Sequence, residues 1–449
     1  MLKSITVSKL FGKFNYRLDF PDTGIMIITG PNGYGKSTIL KIINALCSND
    51  LETILRLPFT ECSINSISKE FVFKKGDKDF SINGISLQYP NEENAKETKY
   101  AIRHSRINEI TILRQLREHI NMEFEDLSTK TAIELQDNPY SVALVSWNLR
   151  DVVTSNEDMI REVMKRVTKV YCTLQELSNE IGSVYFIKEQ RLIERKNIEE
   201  DNRGYGREKE EYVPVINENS EMMKTALANV MKKHSSISSD LDGSFVKRLF
   251  DLKSYEEIAP TDIHNKLGEL QARQEKLQKY GLADEQKVSY ISNVVDDEKI
   301  KQFIKELSIY IQDTNKKYKV FEDIINRIEL YEDIVNSKLM YKKMKISIEK
   351  GISIITEDSK ELPLTCLSSG EQEILVLFYK LIFESNVNLL LIDEPEISLH
   401  IVWQRAILDD IKKIKKINNN MQVIIATHSP QIISDNWNLQ IDLGGLANG

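Results

Sequence analysis

The segment Gly30-Pro-Asn-Gly33-Tyr-Gly35-Lys36-Ser37-Thr38 stands between an apolar run, Ile25-Met-Ile-Ile28, and a helical pattern, Ile39-Leu-Lys-Ile-Ile-Asn44. A strand, a glycine-rich turn and a helix start in this order are the context in which G-x-x-x-x-G-K-[ST] reads as a P-loop. The glycines let backbone N–H groups around Asn32, Gly33, Gly35 and Thr38 close on phosphate oxygens. Lys36 reaches the β- and γ-phosphates, and the Ser37 hydroxyl completes a Mg²⁺ shell. The helix N-terminus adds a partial positive charge at the same spot. The alternative, a glycine-rich turn with no nucleotide, is disfavoured by this context. The expected ligand is a nucleoside triphosphate with Mg²⁺.

Bulk properties exclude several classes. The length of 449 residues allows two or three domains with ample core. No apolar run reaches the ~18 residues of a membrane span; the longest, Ile374–Tyr379, stops at Lys380. Met1-Leu-Lys-Ser enters a strand pattern at once, so no secretory signal is expected. Cys47, Cys62, Cys172 and Cys366 lack C-x-x-C spacing, which fits a reducing cytoplasm and argues against a zinc site. A net charge of −8 means that the surface as a whole is not built to embrace nucleic acid, although a local basic patch stays open.

Taken in order, Ile5 and Val7, then Tyr16 and Leu18, alternate as strands leading to the P-loop. Glu70–Phe73 and Phe80–Ile82 are expected to pair through a turn at Lys75-Gly76-Asp77, and Asn83-Gly84 signals a hairpin into Ile85-Ser-Leu87. A helical pattern covers about Ser146 to Asn179. Val184–Ile187 reads as a strand ending near Gln190-Arg191, a place where a side chain could sense the γ-phosphate, or an ordinary strand end. Glu199–Glu211 is charged and poor in apolar residues, so a mobile loop or lid is expected. Residues 215–340 are mostly helical. Ile300, Ile304, Leu307, Ile311, Thr314, Tyr318, Phe321, Ile325 and Ile328 form a seam of about four heptads. A shorter seam runs through Ile263, Leu267, Leu270 and Leu277. The pair implies a helical hairpin or small bundle, or helices packed on the core. Period-2 alternation then returns at Lys345–Ile354.

A second set of motifs follows. In Leu367-Ser368-Ser369-Gly370-Glu371-Gln372 a Ser-Gly pair opens a helix and offers a hydroxyl and N–H groups to an anion, or simply caps it. Asn388-Leu-Leu-Leu-Ile392 is a buried-strand run ending in Asp393-Glu394. Asp393 is placed to bind Mg²⁺ through water, and Glu394 to polarise the attacking water. Ser398-Leu399-His400 lies just beyond. Another buried strand, Met421–Ala426, leads to Thr427-His428-Ser429-Pro430, where His428 can contact the γ-phosphate.

In this order the motifs resemble the ABC-type ATPase family in its SMC-like, non-transporter branch. The resemblance makes Gly30–Thr38 the Walker A motif and Ser368–Gln372 the signature. It makes Asp393-Glu394 Walker B, Ser398–His400 the D-loop, His428 the switch histidine and Gln190 the Q-loop glutamine, a further Mg²⁺ contact. The implied fold is an α/β ABC-type ATPase head, a P-loop core with an antiparallel β subdomain, interrupted by a mostly helical, short coiled-coil-like insertion. The expected division is an N-terminal lobe 1–214, an insertion 215–340 and a C-terminal lobe 341–449, the insertion being too short for a long SMC-type arm. The Leu-Phe-Gly start, F-I-x-x-Q-R-L and D-E-P-E-x-S-L-H look most like prokaryotic anti-phage defence ATPases, the PARIS AriA and Septu PtuA subunits and the ATPase half of OLD nucleases.

That resemblance implies ATP hydrolysis in a head-to-tail homodimer. In it Ser368, Ser369, Gly370 and Glu371 of one copy close on the nucleotide held by Lys36 of another. It further implies a larger homo-oligomer, a cytoplasmic location and a separate effector nuclease, TOPRIM-like or HNH, released by a phage-encoded trigger. The rival is an SMC-like DNA-repair or chromosome-associated ATPase that clamps duplex DNA. Lys412–Lys416 and Lys338–Lys345 are its best support, although solvated faces are the simpler account. A stand-alone nuclease is disfavoured by the lack of a further acidic cluster with metal-site character.

Overall fold

The structure, a computed structural model, describes residues 1–76, 79–88, 157–189, 191–199, 208–250, 258–283, 297–384, 387–418 and 420–447. The chain forms two compact units interleaved in sequence. One comprises Met1–Glu189, Ser385–Ile397 and Gln404–Gly449; the other comprises Gln190–Glu384 and Ser398–Trp403. The three-segment division at 214 and 340 stays a proposal about the order of functional segments.

The first unit holds two sheets. Strands β1 (Leu2–Leu10), β2 (Phe14–Asp19), β4 (Glu61–Ser66), β5 (Glu70–Lys75), β6 (Asp79–Ile82) and β7 (Ile85–Gln88) form an antiparallel sheet in the order β2-β1-β4-β5-β6-β7. The expected pairing is present: Phe73 opposes Ile82, and Ile82 opposes Ile85 across Asn83-Gly84. Both turn residues have positive φ, which matches the right-handed twist of the flanking strands.

The other sheet is wholly parallel, in the order β16-β3-β15-β14-β8. It is built from β3 (Ile25–Thr29), β8 (Val184–Ile187), β14 (Leu389–Asp393), β15 (Gln422–Ala426) and β16 (Gln440–Asp442). Every residue of β3, β14 and β15 is buried, which is why these strands read as unbroken apolar runs. One core joins the two sheets to helix α1 (Lys36–Cys47) and the helix Glu157–Ile181, through side chains such as Ile5, Ile28, Ile39, Phe73, Val170 and Leu391. Because the strands are parallel, the loops after β3, β8, β14 and β15 leave one edge together, the edge where ligands of open α/β sheets bind.

The second unit is mostly helical. Its helices Pro260–Lys279, Asp297–Gln302 and Ile304–Lys319 share a core in which Ile263, Leu267 and Leu270 pack with Ile300 and Ile311, so the two seams meet. The helix Val215–Phe250 joins them: Arg248 grips Asp313 with two bonds, at 2.5 and 2.7 Å. This is a small bundle. The long seam does not lie on one helix, because the backbone breaks at Phe303 and again before Glu322–Asn336. Neither break has a glycine or proline; Phe321, at 1% exposure, turns inward there. The returning alternation at Lys345–Ile354 forms a separate three-stranded sheet, β11 (Lys342–Ser347), β12 (Gly351–Thr356) and β13 (Glu361–Leu362), rather than adding to the parallel sheet.

One expectation is corrected. Glu199 and Glu208–Glu211 belong to a two-stranded ribbon, β9 (Ile193–Glu199) with β10 (Glu208–Pro214), in which Glu199 opposes Glu208 and Lys196 opposes Glu211. Charge on both strands hid the pairing. Residues 200–207, like Gln190 and the start of the expected helix at 146–156, lie outside the described residues.

Candidate nucleotide and hydrolysis site

β3 ends at Thr29, and the chain turns through Gly30, Gly33 and Gly35, all at positive φ, before α1 starts at Lys36. Gly35 cannot be replaced quietly: it has φ +91°, and a Cβ there would lie 2.3 Å from Leu10 Cδ2. No side chain caps α1, so its first N–H groups remain for an anion. The loop walls a cavity of about 360 Å³ lined by Asn32, Gly33, Gly35, Lys36, Ser37 and Thr38, with Glu394 and His428 across from them. The sequence-derived residues of the first unit are therefore brought together.

Side-chain geometry binds the loops to one another. Ser37 Oγ donates to Asp393 Oδ1 at 2.8 Å. Lys36 Nζ donates to the Gly30 carbonyl at 3.0 Å and lies against both ring nitrogens of His428. His428 Nε2 is 3.2 Å from Glu394 Oε1. Glu394 has φ +45°, a strained backbone for a residue with a side chain, held by its N–H on the Ala426 carbonyl at 2.9 Å. Burial and the neighbouring Glu396 carboxylate push the Glu394 carboxyl up to about 8. Burial also raises Asp393 and lowers Lys36 and His428 from their ordinary values.

These groups fit a Mg²⁺-bound nucleotide. Hydroxyl and carboxylate oxygens suit a hard cation, and Ser37 with Asp393 supply both. Among the described residues no cluster of three or more His, Cys, Asp or Glu could hold a metal ion. A cation here would therefore draw further oxygens from the phosphates.

Three cavity or loop residues escaped the sequence reading. Phe11, 42% exposed, puts a ring at the cavity, a stacking surface for a base. Glu189, at the end of the β8 segment, lines the cavity and its charge raises Asp393. Glu396 accepts from Thr427 Oγ1, His428 N and Ser429 N. The D-E-P-E spacing was the available signal for Glu396 and the Leu-Phe-Gly start for Phe11; Glu189 had none beyond its neighbours.

The signature residues belong to the second unit. Ser368 is the N-cap of the helix Ser369–Tyr379, in a capping box with Glu371. The Glu371 carboxylate is occupied by this cap and by Lys342 at 2.9 Å, so its visible work is structural. Gly370 packs under Ser398, where a Cβ would meet the Ser398 carbonyl at 2.7 Å. His400 Nδ1 accepts from Val402 N, and its ring meets Trp403 edge-on. In the basic clusters, Lys338 is buried over the Phe378 ring and Lys342 pairs with Glu371. Lys412 and Lys413 pair with Asp409 and Asp410, and Lys415 bonds the Met421 carbonyl. Among the described residues no helix is long and apolar enough to cross a membrane.

The AAA ATPase domain family matches residues 1–433. No curated protein matches the chain. Solved structures similar to it include an Smc head domain with an extended coiled coil, bound to the C-terminal domain of ScpA and derived from Pyrococcus furiosus. It has 11% identity, a TM-score of 0.37, and covers 97% of this chain and 91% of that one. An SMC head domain from Thermotoga maritima has 10% identity, a TM-score of 0.34, and coverage of 96% and 90%. With its P-loop, acid pair and histidine on one sheet edge, the chain belongs to the AAA ATPase domain family and is an ATPase.

Proposed function

We propose that this chain is an SMC-like, ABC-type ATPase that completes its ATP site with a second copy of itself and serves as the sensor and scaffold subunit of an anti-phage defence complex. The observation that carries the ATPase reading is the convergence of Lys36, Ser37, Asp393, Glu394 and His428 on one edge of the parallel sheet. Backbone N–H groups of the P-loop and Lys36 hold the phosphates. Ser37 and Asp393, with Gln190 as the motif resemblance implies, would hold Mg²⁺, which would neutralise phosphate charge. Glu394 takes the proton of the attacking water, and His428 orients that water against the γ-phosphate. Ser368, Ser369 and Gly370 of a second copy complete the cavity, with Glu371 shaping their helix start through its cap. ATP then acts as glue and signal as much as fuel.

The motif order and the D-E-P-E-x-S-L-H run support the defence reading, in which ATP binding holds a separate nuclease until a phage component appears. The DNA-clamp alternative draws less support from Lys338 and Lys342, which are engaged within the chain, than from Lys343, Lys345 and Lys416, which are exposed. Co-purification from the native operon, followed by mass measurement with and without ATP, tests the proposal. A nuclease-bearing, ATP-dependent assembly supports it. Salt-dependent duplex binding with DNA-stimulated ATPase, and no nuclease partner, overturns it in favour of the clamp.

A further inference from the structure

We infer that Glu396 is a positioning residue of the hydrolytic site, which fixes the backbone that carries His428. The inference rests on the ATPase reading above. β14 and β15 are parallel neighbours with Asp393 opposite Ala426, so their loops leave the sheet side by side. Glu396 reaches across this gap. Its Oε1 accepts from Thr427 Oγ1 at 2.6 Å, from His428 N at 2.8 Å and from Ser429 N at 3.0 Å. Three donors on consecutive residues thus converge on one carboxylate oxygen, and charge-assisted bonds of this kind are shorter and stronger than neutral ones.

The clamp extends outward. Ser429 N also donates to Thr427 Oγ1 at 2.9 Å, and Ser429 Oγ to Gln404 Oε1 at 2.7 Å. Thr427 is fully buried, so the loop is anchored on the core side while His428, 38% exposed at its side chain, faces Lys36 and Glu394. With its main chain fixed, the imidazole can reach Glu394 Oε1 only over a narrow range. Glu396 sets the spacing between the base and the histidine without touching the phosphates. Its charge is also among the causes that raise the Glu394 carboxyl.

The test compares Glu396→Ala, Glu396→Gln and Thr427→Val in the full chain. It reads ATP turnover, affinity for a fluorescent ATP analogue, and the His428 ring signal by NMR, assigned from the spectrum of His428→Asn. Glu396→Ala is expected to lower kcat roughly 10- to 100-fold and to shift the His428 signal without nucleotide. Affinity should stay within about threefold. Glu396→Gln keeps an acceptor oxygen and should lose less turnover than Glu396→Ala. Wild-type kcat in Glu396→Ala overturns the inference. If Glu396→Ala does not fold, Thr427→Val decides: a kcat loss at constant affinity supports the clamp, and wild-type kcat overturns it. Glu394→Gln runs in parallel, since wild-type turnover there would overturn the ATPase assignment itself rather than the role of Glu396.

Discussion

Ser37 Oγ donates to Asp393 Oδ1 at 2.8 Å, joining the first turn of the P-loop helix to the end of the acid strand β14. Ser37 opens the helix that follows β3, and β3 is separated from β14 by β15 in the sheet. The P-loop and the start of its helix therefore carry Ser37 across the two inter-strand gaps, roughly 9–10 Å of sheet, that separate β3 from β14. Ser37→Ala or Asp393→Asn should abolish the gain in nucleotide affinity that Mg²⁺ gives, at a cost of about 1.5–3 kcal/mol. Calorimetric titration with ATP, with and without Mg²⁺, checks this.

The pH dependence of turnover follows from Glu394. Its carboxyl is raised to about 8 by burial and by Glu396, and a base works only when ionised. Turnover should climb with pH through about 8 and level off above it. The sign for stability is opposite. Between the ordinary carboxylate range and about 8 the folded state keeps a proton that the unfolded chain has released, so stability falls as pH rises through this window. In Glu394→Gln the stability slope should lessen and the turnover be lost, as denaturant melts across pH and a phosphate-release assay would show.

A buried ion pair ties the segment after β8 to the signature helix. Arg191 Nε is 2.7 Å from Glu373 Oε2, with side chains 2% and 5% exposed. Burial raises the Glu373 carboxyl, and Arg191 opposes that. Arg191→Met leaves a charge buried alone and should cost about 3–5 kcal/mol. Arg191→Met with Glu373→Leu should recover much of it, as urea unfolding can measure.

At Gly370 the constraint is steric. An added Cβ would lie 2.7 Å from the Ser398 carbonyl, so Gly370→Ala must push the Ser398–His400 segment away. Such overpacking costs about 1–3 kcal/mol. Thermal melts should show the loss, with nucleotide affinity of the separate protomer unchanged.

Much of this was legible in the sequence, for identifiable reasons. The interiors of β3, β14 and β15 are apolar because both sheet faces are covered, and that exposed the P-loop, the acid pair and His428 together. Other features depend on partners distant in sequence. Glu396 acquires its role only when Thr427–Ser429 come alongside. The β9–β10 ribbon is hidden because charge on both strands mimics a loop. The breaks at Phe303 and Phe321 have no glycine or proline to announce them, and at Phe321 the buried ring turns inward. Glu371 reads equally as a ligand contact and as a cap; the structure uses it as a cap.

The central claim, that Lys36 and Ser369 from different copies serve one nucleotide, is tested most directly by complementation. Lys36→Ala and Ser369→Arg chains are purified separately and then mixed with ATP and Mg²⁺. The account predicts that each is inactive alone and that the mixture regains turnover, because mixed dimers contain one site with both halves intact. A mixture that stays inactive, or a Ser369→Arg chain that hydrolyses ATP at the wild-type rate, would contradict it.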